Sequence, residues 1–270
     1  MSSLHAITAP LKTLLRGDAE DLASMLRAPL SAVLRPCLVV IVIGCGMYGA
    51  SLGLWRAPLM AVYVGIKMPM LIFLTLAVNG LLNGILALLL GSGLSFRQTL
   101  TACLMCFAIF AMLVGSLSPI VIGMVVDAPP AEQPGAESWY RMFLLTHTAV
   151  IAFAGIVSNH KLLRLLQSFA GSPAIGWRTL IAWLAGNLFV GAQLSYNLRP
   201  FFGNPDLPVQ FVRDHPFDGN FYIAVWSMMQ PALGPVLFAA GGLLCVSLPF
   251  IVLILFTKRP LPVTPTSSQS

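Results

Sequence analysis

Charge is what this sequence has least of. Only 9% of its 270 residues are Asp, Glu, Lys or Arg, against roughly 25% in a soluble globular domain, so most of the surface cannot face water. Acidic residues are scarcest, nine in the whole chain, and none falls in the apolar runs at 37–54, 68–90, 99–126, 142–158, 179–196 and 234–256. Proton-coupled carriers and intramembrane aspartyl proteases rely on ionisable groups at membrane depth. Their absence argues against a proton-driven transporter and leaves a passive channel open. H-E-x-x-H, the Walker A pattern and G-x-G-x-x-G are missing, and with them the metal, nucleotide and dinucleotide sites those motifs build. His147 is the one histidine in the six runs, which excludes a bis-histidine haem. No cofactor and no metal are expected. The five cysteines lie inside or at the edge of apolar runs, away from loops where an extracytoplasmic disulfide would form, so none is expected. Cys103-Leu104-Met105-Cys106 is formally C-x-x-C, but further ligands and a thioredoxin-like context are lacking, and the pair reads as two small apolar side chains. A cleavable signal peptide is not expected either, because the first 36 residues are polar and amphipathic rather than a short basic stretch followed by an apolar core.

What is there is grease. Hydrophobic residues make up 57% of the chain, in runs that approach the roughly 20 residues a helix needs to cross a bilayer. Lipid offers no hydrogen-bond partners, so spans are helices or closed barrels, and continuous runs without strict alternation argue against a barrel. The expected fold is all-α: a polytopic transmembrane helix bundle of about six spans, preceded by a short N-terminal amphipathic interfacial helix.

Residues 1–36 carry Leu11, Leu14, Leu15, Leu22, Met25 and Leu26 at helical spacing among basic and acidic side chains, which suits one or two helices lying in the interface plane. The bundle is expected over 37–257. Its first span contains Gly49 and Gly53, a small-xxx-small pair that lets helix backbones approach closely. Pro69 favours a break before the second span, leaving residues 57–67 either as an interfacial helix or as part of that span, with Lys67 snorkelling to an interface. The fourth span is short, followed by a basic amphipathic element at 159–178. Residues 258–270, rich in Pro, Ser and Thr, read as a disordered tail. Counting six spans, ten of the fifteen Lys and Arg residues fall on the side of the termini, so by the positive-inside rule both termini are cytoplasmic, in a bacterial inner membrane.

Two groups of residues are candidates for function. The outer cap at 197–221 is proline-rich yet keeps aromatic rings; Arg199, Phe201, Phe202, Asp206, Phe211 and Arg213 form a candidate surface for lipid or a partner, with Arg199 able to meet a phosphate or carboxylate. The competing explanation is a plug sealing the outer helix ends by interfacial aromatic anchoring. Inside the spans, Asn79 and Asn83 share a face, and with His147, Asn187 and Gln193 they either glue helices together by hydrogen bonds or line a polar path. Ser51 with His147 is the best serine–histidine pairing available, but Leu52 stands where rhomboid-type proteases have glycine, so His147 is assigned to an interhelical hydrogen bond.

The amphipathic segment from Ala9-Pro10-Leu11-Lys12-Thr13-Leu14-Leu15 onward, followed by closely spaced helices, resembles the layout of bacterial multi-pass membrane proteins of the Yip1 type. The chain departs from it by a sixth span and by the long cap. The resemblance implies membrane organisation rather than enzymology. The expected role is therefore non-enzymatic, an accessory or scaffold subunit whose partners are membrane lipids and another membrane protein or a second copy, with no nucleic acid involved. The alternative is a permease or channel for a small solute, which requires Asn79, Asn83, Asn187 and Gln193 to converge on one polar cavity. An intramembrane enzyme is the third possibility.

Overall fold

The computed structural model describes residues 10–131, 133, 135–202 and 208–229. Two compact units divide the chain, Met1–Asp218 and Gly219–Ser270. Among the described residues the regular structure is helical throughout. After helical turns at 10–16 come α1 (Ala19–Arg27), α2 (Leu30–Leu54), α3 (Pro58–Leu89), α4 (Phe96–Ser116), α5 (Ser118–Val126), α6 (Ala136–Phe169), α7 (Pro173–Asn197) and, in the second unit, α8 (Phe221–Met229).

Four stretches are long and apolar enough to cross a membrane: α2, α3, α4 with α5, and α6. The fifth expected span falls in α7, which is not among these four, and the sixth lies outside the described residues, as does the tail at 258–270. At about 1.5 Å per residue, the 34 residues of α6 extend about 51 Å, beyond the roughly 30 Å of hydrocarbon. Its ends therefore reach the polar zones, with Arg141 and Glu137 paired at 3.2 Å near one end and Lys161 and Arg164 near the other.

Local chemistry sets most boundaries. Pro58 and Pro173 begin their helices, where the missing N–H is no loss. Ser95 and Gln98 form a reciprocal capping box at the start of α4, Gln98 N to Ser95 Oγ at 3.3 Å and Ser95 N to Gln98 Oε1 at 2.9 Å. Glu20 and Asp21 lie in the first turn of α1 and Arg27 in its last, all favourably placed on the helix dipole.

Several expected breaks are absent. The first long helix begins at Leu30 and carries Pro36 inside it, and α3 runs through Pro69, so residues 58–67 belong to it. Neighbouring helices compensate for a proline at membrane depth; both rings are buried against such neighbours. The expected third span is interrupted at Leu117, and α5 begins at Ser118 with Pro119 in its first turn. The fourth span and the basic element after it form one helix as far as Phe169, and the break comes at 170–172. The apolar face of α1 is also covered by protein: Leu22 and Leu26 are buried in the same core as Leu162, Leu165 and Leu166 of α6. Lys161 donates to the Leu15 carbonyl and so closes the helical turns at 10–16.

Glycine governs how closely α2 approaches its neighbours. A Cβ on Gly49 or Gly53 would stand 2.5 Å from the Val64 carbonyl oxygen or 2.4 Å from that of Met60, both in α3, and one on Gly44 would stand 2.3 Å from the Ala111 carbonyl oxygen in α4. These are backbone-to-backbone contacts that no larger residue permits. In the second unit, Asn220 Oδ1 accepts from Ile223 N at 2.8 Å, the N-cap bond of α8.

Candidate functional site

A cavity of about 780 Å³ lies among α3, α4, α6 and α7. Its wall is mainly apolar: Met68, Leu71 and Ile72 from α3, Phe107 and Phe110 from α4, Ile151, Ile156 and Leu163 from α6, Leu180, Leu184 and Leu188 from α7. The hydroxyls on the wall turn back to their own helices, Thr75 to the Leu71 carbonyl at 2.8 Å, Thr148 to Leu144 at 2.8 Å, Ser158 to Gly155 at 3.1 Å and Ser195 to Ala192 at 2.8 Å. They therefore present methyl and methylene surface. Apolar walls hold water poorly. The cavity is built for an apolar occupant.

Phe201 and Phe202 close one end of it, and they belong to the cap. Arg199–Pro200 is a cis peptide bond. Lys67 is 0% exposed; its Nζ donates to the Pro200 carbonyl at 2.6 Å and lies 5.5 Å and 5.3 Å from the ring centroids of Phe201 and Phe211. Tyr63, one turn before Lys67, meets Phe211 edge-on at 5.4 Å. The expectation that Lys67 snorkels to an interface is thus overturned: the cap folds over the ammonium and supplies a carbonyl dipole and two ring faces in place of water. The arginines of the cap face Tyr196. Arg199 stacks on its ring at 3.7 Å and Arg213 at 4.7 Å; Arg199 Nε donates to the Tyr196 carbonyl at 3.1 Å, and Arg213 Nη2 donates to the Pro216 carbonyl at 3.1 Å and to that of Asp218. Phe201, Phe202 and Phe211 therefore point into the bundle. Asp206 lies outside the described residues.

The polar residues of the spans divide into three places. Asn79 Nδ2 donates to the Gly186 carbonyl at 3.1 Å, and Asn83 Nδ2 to Asn187 Oδ1 at 3.3 Å, joining α3 to α7. Asn83 Nδ2 also lies 3.6 Å from Cys103 Sγ. Asn79 Oδ1 and Asn83 Oδ1 have no partner and both face Gly186, whose absent Cβ would stand 3.6 Å and 3.9 Å from them. Gln193, further along α7, donates to Asn197 Oδ1 at 2.9 Å. His147 Nδ1 shares a hydrogen bond of 2.9 Å with the Tyr48 hydroxyl, Ser51 donates to the Tyr48 carbonyl at 2.7 Å, and the serine–histidine pair does not form. Of these five residues, only Asn187 lines the cavity. Around His147 lies an aromatic cluster: Phe143 at 4.1 Å and Phe202 at 6.3 Å between ring centroids, with Phe143 stacked on Trp139 at 4.5 Å and Trp139 beside Trp55 at 4.8 Å.

Cys37, Cys45, Cys103 and Cys106 are free thiols, and among the described residues no cluster of His, Cys, Asp and Glu could hold a metal ion. The cavity wall escaped the sequence because nothing separates an apolar residue facing a cavity from one facing lipid. The one available signal was Lys67 itself, a lone cation deep in an apolar run that needs a partner. Comparison with family models, with curated proteins and with solved structures finds no match to this chain.

Proposed function

We propose that this chain is a non-enzymatic integral membrane protein, an accessory or scaffold subunit that organises lipid or a partner membrane protein, in a bacterial inner membrane with both termini on the cytoplasmic face. One observation carries the reading. The polar side chains of the spans are engaged in helix contacts, Asn79 and Asn83 with α7 and His147 with Tyr48, while the large cavity is walled by apolar groups. A solute path needs the reverse arrangement. The Yip1-like layout supports the same role, as does a cap whose rings turn inward and seal. The permease reading draws on the two unpartnered amide oxygens of Asn79 and Asn83, which would interact with a polar solute.

Two measurements on the full chain decide between them. Extraction in mild detergent followed by mass spectrometry is expected to recover retained lipid or a stoichiometric membrane partner, and proteoliposomes are expected to show no flux of small polar solutes. A flux abolished by Asn187→Leu overturns the scaffold reading in favour of the permease.

A further inference from the structure

We propose that the cavity among α3, α4, α6 and α7 binds one hydrocarbon chain of an anionic membrane lipid, admitted sideways between α6 and α7, with the headgroup held at the Asn159–His160–Trp177 end. The inference rests on the scaffold reading and gives it a ligand. The length suits an extended hydrocarbon chain. Lining residues on α7 run from Trp177 to Ser195, about 27 Å at the helical rise of about 1.5 Å, close to the roughly 30 Å thickness of the hydrocarbon layer. The side opening lies where lining residues are also exposed: Ile156 on α6 at 70% and Leu188 on α7 at 63%.

The two ends differ. Phe201 and Phe202 block one, with the buried Lys67 ammonium at the back of Phe201. At the other, His160 and Trp177 are exposed, and Arg164 and Arg178 stand one turn or one residue away. Both arginines are exposed, with no hydrogen bond or ion pair to a described residue, whereas Lys161 is held by the Leu15 carbonyl. From 138 to 205 the sequence has no Asp or Glu. Glu137, the one carboxylate on these two helices, is paired with Arg141 at the far end of α6, and Asp18 at this end stands close enough to Lys161 to interact with its charge. A chain moving from the bilayer into an equally apolar cavity gains no hydrophobic energy. Selection therefore lies with the headgroup and its basic neighbours.

The test uses the full chain in nanodiscs of equimolar phosphatidylcholine and phosphatidylglycerol, stripped of bulk lipid and weighed by native mass spectrometry. One retained lipid per chain is expected, with phosphatidylglycerol favoured by about fivefold per arginine, a preference that Arg164→Glu with Arg178→Glu abolishes. Gly155 lines the cavity and has no atom within 4 Å of an added Cβ; Gly155→Phe is expected to cut retention at least tenfold. Gly123 is equally open but lies off the cavity, so Gly123→Phe should retain lipid as the parent does. Unchanged retention in a folded Gly155→Phe protein, or a parent that retains none, overturns the proposal. If Gly155→Phe fails to fold, a phosphatidylglycerol with a photoreactive group near the chain end decides: labelling within 148–163 and 177–195 supports the site, and labelling elsewhere overturns it. The scaffold reading fails separately, on solute flux.

Discussion

Replacing Lys67 with methionine keeps an unbranched side chain, one atom shorter, and removes its charge. The ammonium holds the cap through three contacts, the 2.6 Å hydrogen bond to the Pro200 carbonyl and the faces of Phe201 and Phe211. A hydrogen bond from a charged donor contributes about 1.5–3 kcal/mol and each ring contact about 1 kcal/mol, so the cap loses about 4 kcal/mol of attachment. At about 1.4 kcal/mol per decade, its opening becomes at most about a thousandfold more frequent, the relieved desolvation of the ammonium offsetting part of the loss. Global stability should move little. The buried ammonium has no anion among these partners, and a desolvation penalty of several kcal/mol disappears with the charge. Hydrogen–deuterium exchange in nanodiscs checks this at peptides covering 197–202 and 208–218, where the Arg213 amide bonded to the Arg199 carbonyl at 3.1 Å is the most direct reporter. Loss of protection confined to the cap is the expected result. Unchanged protection there, or loss spread evenly over α3 and α6, refutes the idea that Lys67 latches the cap.

Two further substitutions test the packing. A Cβ on Gly49 would stand 2.5 Å from the Val64 carbonyl oxygen, so Gly49→Ala forces α2 and α3 apart at about 1–3 kcal/mol and lowers the melting temperature in detergent, whereas Gly155→Ala, with nothing within 4 Å, leaves it unchanged. Tyr48→Phe strands His147, whose Nε2 already has no partner, at about 1–3 kcal/mol; adding His147→Leu recovers most of that loss, and additivity in the double-mutant cycle would show that the 2.9 Å bond does not couple the two residues.

The glycine spacing of α2 was readable because a small residue is needed wherever backbones touch, whatever the partner. The shared face of Asn79 and Asn83 was readable from the helical repeat alone. Their partners were not: Gly186 and Asn187 lie more than a hundred residues further on, and no local rule connects such positions. The start of the second span was misjudged at Pro69 for a related reason. Proline breaks an isolated helix, but tertiary packing supports one that is surrounded.

Composition and run length by themselves determined the solvent and, through it, the secondary structure. A chain with 9% charged residues must lie largely in hydrocarbon, and hydrocarbon requires every backbone group to be paired within its own segment. Only the tertiary structure decided where the free volume lies and what closes it. A cavity belongs to the gap between four helices and to no residue in particular. The burial of Lys67 required Pro200, 133 positions away, to bring a carbonyl, and Phe201 and Phe211 to bring two rings, over a charge that would otherwise have sought water.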